Sequence, residues 1–215
     1  MNKTLAKKSI EELLKIITPD QIEEIPERKD EKSPLLKLYH ALVHSPKFQQ
    51  VDLNHTIFNL ISIAPTPVEI NAFLQSTIVY EEHPQHKSVL PFYLSRLIEN
   101  SYNSGWKEIL LNTAIFKEIP SDLIRNIEAK EEPPLKITIE GNVGAEFGST
   151  SKYVHYQVLG NAENDLGEGS ADCSFYVSGS TGANPGTYCE DCTFILSKIS
   201  ANIKYYHGPG DPRGC

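Results

Sequence analysis

Four stretches in the last third of the chain decide its fold: Leu135-Lys-Ile-Thr-Ile-Glu-Gly141, Val154-His-Tyr-Gln-Val-Leu-Gly160, Cys173-Ser-Phe-Tyr-Val-Ser-Gly179 and Cys192-Thr-Phe-Ile-Leu-Ser-Lys198. Apolar residues alternate with polar ones in each, the pattern of a strand with one buried face. Leu135, Val154, Cys173 and Cys192 stand 19 residues apart, as do Ile137, Tyr156, Phe175 and Phe194, and Ile139, Val158, Val177 and Leu196. Glycines keep the same period, with Gly141, Gly160 and Gly179 in one column and Gly148, Gly167 and Gly186 in another. Asn142 and Asn161 match as well. Columns that coincide over several repeats are the mark of a solenoid, in which each turn buries its face only by stacking on the next. The expected architecture is a parallel β-helix of about four 19-residue turns over residues 135–200, with the glycines at its corners. Leu159, Tyr176 and Ile195 then point outward, unusual company for solvent and a candidate interaction surface.

Working outward, the grammar changes near Pro133-Pro134. Of 13 glycines, Gly105 alone precedes residue 140. Successive prolines stop a helix and cannot join a central strand, so residues 131–134 read as a linker between a helical domain, 1–130, and the β-helix. In the first part, apolar residues recur at helix spacing: Ile10/Leu13/Leu14/Ile17, Leu35/Leu38/Tyr39/Leu42, Ile70/Phe73/Leu74/Ile78 and Leu90/Leu94/Leu97/Ile98. Ser33-Pro34 offers a helix start, and Thr18-Pro19-Asp20-Gln21 and Thr66-Pro67-Val68-Glu69 carry a cap, an N1 proline and the third residue of a capping box. Gly105 ends a helix, Trp106 to Phe116 reads as another, and a short one follows Ser121-Asp122. The overall class is α+β. Residues 201–215, rich in glycine and proline, are expected to form a flexible tail or to close the open end of the solenoid, while the helices cover the first rung.

Composition excludes several classes of function. Of 215 residues, 20 are Lys or Arg and 28 Asp or Glu, a formal charge of −8 that leaves no basic footprint for nucleic acid. The densest apolar run, Phe58 to Ala64, is broken by Asn59 and Ser62, so no membrane span is expected. Glu11 and Glu12 fall where a signal peptide would need its apolar stretch, and the chain is expected to be cytoplasmic.

The corner segments Gly141-Asn-Val-Gly-Ala-Glu-Phe-Gly148, Gly160-Asn-Ala-Glu-Asn-Asp-Leu-Gly167 and Gly179-Ser-Thr-Gly-Ala-Asn-Pro-Gly186 resemble the glycine-rich turn of the GXGXG β-helix domain. That domain occurs at the C-terminus of the glutamate synthase large subunit and in formylmethanofuran dehydrogenase. The resemblance covers residues 135–200, with Glu163 standing where the other repeats have Gly144 and Gly182. It implies a right-handed β-helix with a structural role and no catalytic residues. The expected function is therefore a non-catalytic scaffold or assembly module that binds a protein partner or joins a larger enzyme complex. An accessory subunit of a glutamate synthase-like or formylmethanofuran dehydrogenase-like enzyme is an alternative.

A rival class, a zinc-binding or enzymatic protein, rests on cysteine. Cys189-Glu-Asp-Cys192 lies beside Cys173, which the 19-residue register puts next to Cys192, and Cys215 or His207 from the tail would complete four ligands for tetrahedral zinc. Against it, Cys173 and Cys192 fill the inward column held by Leu135 and Val154, as small apolar residues do. A Cys173–Cys192 disulfide is disfavoured, because in-register neighbours keep Cβ atoms about 4.8 Å apart where a disulfide wants about 3.8 Å. His40 and His44 have zinc-ligand spacing without the glutamate of a metalloprotease helix and read as a surface or packing pair. His83 and His86 read as a solvated loop pair. Gly167-Glu-Gly169 lacks the lysine and following helix of a phosphate loop. Asn161, Asn164 and Asp165 are expected to hydrogen-bond the corner rather than bind calcium.

Overall fold

A computed structural model describes residues 33–45 and 61–199. The stripe from Ile10 to Ile17, the Thr18 cap and the tail with His207 and Cys215 lie outside them.

Among the described residues there are three α-helices, α1 (Pro34–Val43), α2 (Pro67–Ser76) and α3 (His86–Asn103), with a 3-10 turn over Thr77–Tyr80. Both shorter helices start as their sequences dictate. Pro34 and Pro67 occupy the opening turn, where a missing N–H costs nothing. At α2 the capping box is complete: the Thr66 hydroxyl accepts from Glu69 N at 3.3 Å and the Glu69 carboxylate accepts from Thr66 N at 2.8 Å. The stripes meet in a common core, with Leu38, Tyr39 and Leu42 of α1, Ile70, Phe73 and Leu74 of α2, and Leu90, Leu94, Leu97 and Ile98 of α3 all buried. Gly105, at φ +118°, follows the last turn of α3, and its N–H bonds back to Tyr102 O.

Trp106 to Phe116 is not a helix. It holds strand β1 (Glu108–Asn112), which pairs in parallel with β2 (Leu135–Glu140), Ile109 beside Ile137 and Leu111 beside Ile139. A short apolar run such as Ile109-Leu110-Leu111 fits either element, and here a free strand edge beside it decides. The segment after Ser121 is not helical either: Asp122 and Asn126 are left-handed, at φ 57° and 52°. Their N–H groups bond forward to Ala145 O and Ser149 O. Strand pairing therefore crosses residues 131–134, and Tyr102 ties this segment to α3 by donating to Pro133 O and accepting from Lys130 N.

The sheet continues in sequence order through β3 (Val154–Val158), β4 (Ser174–Thr181) and β5 (Thr193–Ile199), every pair parallel. The register holds the 19-residue columns, with Ile137 beside Tyr156, Tyr156 beside Phe175 and Phe175 beside Phe194. This is a β-solenoid. It has about three regular turns rather than four, because the four strands β2 to β5 in 19-residue register enclose three full steps. Two further lines of parallel bridges complete each coil, Val143–Ala162–Thr181 and Lys152–Ala171–Glu190.

The two glycine columns serve different ends. A Cβ on Gly160 would meet Gly141 O at 2.1 Å, so that column is bare because successive coils touch there. Gly167 has φ +71°, and a Cβ would press on the Phe175 ring at 2.6 Å. Inside, Tyr156, Phe175 and Phe194 stack with centroids 4.9 and 4.8 Å apart, the coil spacing itself. The inward columns are buried through Val177, while Cys192, Phe194 and Leu196 of the last coil are half-buried against the same core. Helix α2 lies on the outer edge of β1. Asn71 Oδ1 accepts from Asn112 N at 2.9 Å and Gln75 Nε2 donates to Asn112 O, which occupies both polar groups of that edge residue. Helices and solenoid share one continuous core from Leu35 to Val177.

Candidate functional site

The outward face of the solenoid follows from the period of two. Tyr176 is exposed at 39% and Ile195 at 60%, and they are register partners on β4 and β5. Leu159, exposed at 45%, follows β3 directly. Around them lie the polar outward residues Gln157, Ser174 and Thr193. At the other end of the column holding Tyr176 is Leu110, also exposed and separated from it by Thr138 and Gln157. The sequence reading missed Leu110, having placed it on a helix.

A polar ladder runs along one corner. Asn142 Oδ1 accepts from Asn161 N at 2.9 Å, Asn161 Oδ1 from Ser180 N at 2.8 Å, and Asn164 Oδ1 from Ala183 N at 2.8 Å. Each amide oxygen thus satisfies a donor of the next coil, so these residues hold the turns together. Gly167 to Asp172 is likewise a corner; it leads through the Ala171 bridge into β4, with no helix to cradle phosphate.

At another corner the three described cysteines are free thiols, Cys173 buried and Cys189 and Cys192 half-buried. Two adjacent columns bring them together. Cys173 and Cys192 precede the register partners Ser174 and Thr193, and Thr193 N donates to Cys173 O at 2.9 Å. Cys189 continues a column that the 19-residue step traces through buried Ser151 and Ser170. The thiols of Cys173, Cys189 and Cys192 donate to Ser151 O, Gly167 O and Ser170 O, each 22 residues back on the preceding coil. Side-chain interaction with Cys173 first, then with Cys189, holds the Cys192 thiol well below its ordinary range. Interaction with Cys192, then burial, pushes the Cys173 and Cys189 thiols up. Among the described residues, no group of three or more His, Cys, Asp or Glu is arranged to hold a metal ion.

His40, His44, His83 and His86 belong to the helical layer. His40 and His44 stack at 4.1 Å, His44 donates to His40 O, and His40 pairs with the Tyr80 hydroxyl at 2.9 Å. His83 lies 4.7 Å from His44. His86 is no solvated loop residue: it is fully buried at the start of α3, with Nδ1 2.8 Å from the Tyr39 hydroxyl. Burial first, then neighbouring positive charge from His44 and His83, lowers His40 to about 4. Burial does the same to His86, also to about 4.

No described helix is long and apolar enough to cross a membrane. The geometry defines an α+β protein in which a helical layer seals the first edge of a β-solenoid. No protein-family model, curated protein or solved structure matches the chain.

Proposed function

We propose that the protein is a non-catalytic assembly module whose solenoid is of the GXGXG kind and whose outward face docks a protein partner, including as an accessory subunit of a larger enzyme. The observation that carries this reading is the exposed register pair Tyr176–Ile195 flanked by Leu159. Aromatic and aliphatic side chains standing on a rigid sheet lose little conformational freedom when covered, which is what an interface centre needs. The polar residues around them supply a rim. The resemblance of the three glycine corners to the GXGXG turn supports the structural role, and the two kinds of glycine contact are those a tightly stacked coil demands.

Native affinity purification at low salt with mass spectrometry tests this directly. The expected result is a stoichiometric partner subunit that is lost from the Tyr176→Ser/Ile195→Ser variant while that variant stays folded. Recovery of the intact protein alone under these conditions, or a partner that the double variant retains, overturns the reading.

A further inference from the structure

We propose that His40 and His44 form a two-imidazole site for one borderline divalent transition-metal ion. The site lies in the helical layer and is independent of the docking face on the solenoid. Position 40 is in the last turn of α1 and position 44 is its C-cap, so the two side chains leave one face of the helix a turn apart. Their rings stack with centroids 4.1 Å apart and planes 29° from each other. His44 is exposed and His40 half-buried, so the pair borders solvent. The hydrogen bonds of both rings run through Nδ1. His44 donates from Nδ1 to His40 O at 2.9 Å, which fixes the tautomer of the neutral ring and leaves the lone pair on Nε2. His40 Nδ1 lies 2.9 Å from the Tyr80 hydroxyl, and with Nδ1–H donating to that oxygen its Nε2 is likewise the metal-binding atom. A ring held through one nitrogen and offering the other is the ordinary state of a metal-ligating histidine.

The surroundings favour a cation. The carbonyl end of α1, which His44 caps, carries the negative end of the helix dipole. Burial, then His44 and His83, keeps His40 neutral down to about 4, so at neutral pH no proton competes for its Nε2. Leu38, Tyr39 and Leu42 anchor α1 in the core, which leaves only side-chain torsions to adjust around an ion. His83 lies 4.7 Å from His44, but its Nδ1 accepts from Gln85 N at 3.2 Å, so its neutral ring keeps the proton on Nε2 and presents no lone pair. The site therefore has two protein ligands, with water in the remaining positions, in keeping with there being no group of three or more donors among the described residues. Imidazole donors select Cu²⁺, Ni²⁺, Co²⁺ and Zn²⁺ over Mg²⁺ and Ca²⁺.

The test titrates the full chain, freed of metal by a chelator and dialysed, with Ni²⁺; Cu²⁺ would oxidise the free thiols at the solenoid corner. One equivalent of Ni²⁺ is expected to bind with a d–d spectrum free of thiolate charge transfer and to raise the urea midpoint. Excess Mg²⁺ should not displace it. His44→Asn and His40→Asn should each weaken binding by at least the roughly 10-fold that disturbing a metal ligand costs. His44 faces solvent, so His44→Asn keeps the fold even where His40→Asn loses it with the Tyr80 contact, and urea midpoints taken in chelator check both. His83→Asn should leave the affinity unchanged. No uptake of Ni²⁺ by the wild-type chain, uptake that His44→Asn retains in full, or a thiolate charge-transfer band overturns the site. A loss in His83→Asn as large as that in His44→Asn overturns the two-ligand assignment.

Discussion

Residues 106–134 and residues 135–199 build the same kind of coil, yet only the second announces it. In both, a parallel strand turns aliphatic residues inward, and left-handed residues recur at matching places: Asp122, Glu146, Asp165 and Asn184 in one line, Asn126, Thr150, Gly169 and Tyr188 in another. The later coils keep a step of 19, as from Ile137 to Tyr156, whereas Ile109 to Ile137 is 28 and the Glu128–Lys152 bridge spans 24. Extra residues in the first coil hide its period without breaking its hydrogen bonds. Coil geometry is therefore set by what stacks on what, and a sequence period is only its most economical record. The first coil has two partners, since one edge of β1 pairs with β2 and the other meets α2.

That difference can be broken most violently in the regular coils. Gly160→Val forces a side chain into Gly141 O, and we expect a loss of about 4 kcal/mol or outright failure to fold, read by chemical denaturation. Phe175→Ala opens a hole between Tyr156 and Phe194 and should cost about 3–5 kcal/mol with the denaturant slope unchanged. In the first coil the test is the edge: Asn71→Ala with Gln75→Ala leaves the Asn112 backbone groups without their side-chain partners and should cost about 1–3 kcal/mol. Hydrogen exchange at β1 should speed up before that at β3, and equal protection in both strands would mean the helix is not what secures the edge.

Acid separates the helical layer from the solenoid more gently. His86 and His40 stay neutral in the fold down to about 4, against 6.5 when unfolded. Between those values the unfolded chain binds protons that the fold refuses, so stability present at neutral pH declines as pH falls from about 6.5 toward 4. His86→Gln, whatever its absolute stability, should flatten that slope in urea midpoints taken across the range; an identical slope would assign the acid sensitivity elsewhere. The smallest effect on the fold is expected from Tyr176→Ser/Ile195→Ser, within about 1 kcal/mol because both side chains already face solvent. Unfolding of that variant would make them core residues and the outward register wrong.

Legibility followed repetition. Leu135, Val154, Cys173 and Cys192 could be aligned by eye because each coil answers to the same neighbours above and below. The Thr66–Glu69 capping box was legible for a local reason, since both halves of it lie within one turn. Leu110, by contrast, reads as part of a helical stripe until Ile109 and Leu111 are seen against Ile137 and Ile139. His86 reads as a loop residue until Tyr39, 47 positions away, is found on its ring nitrogen.

The chain by itself determined the β-solenoid, its inward columns, the glycine corners and the starts of α1 and α2, because those depend on steric and hydrogen-bonding demands repeated at fixed spacing or met within one turn. Only the tertiary structure decided that β1 joins the sheet, that Asn71 and Gln75 close its edge, and that the Cys189 thiol donates to Gly167 O on the preceding coil. Those arrangements depend on which surfaces meet after the coils have stacked, and no single spacing encodes such a meeting.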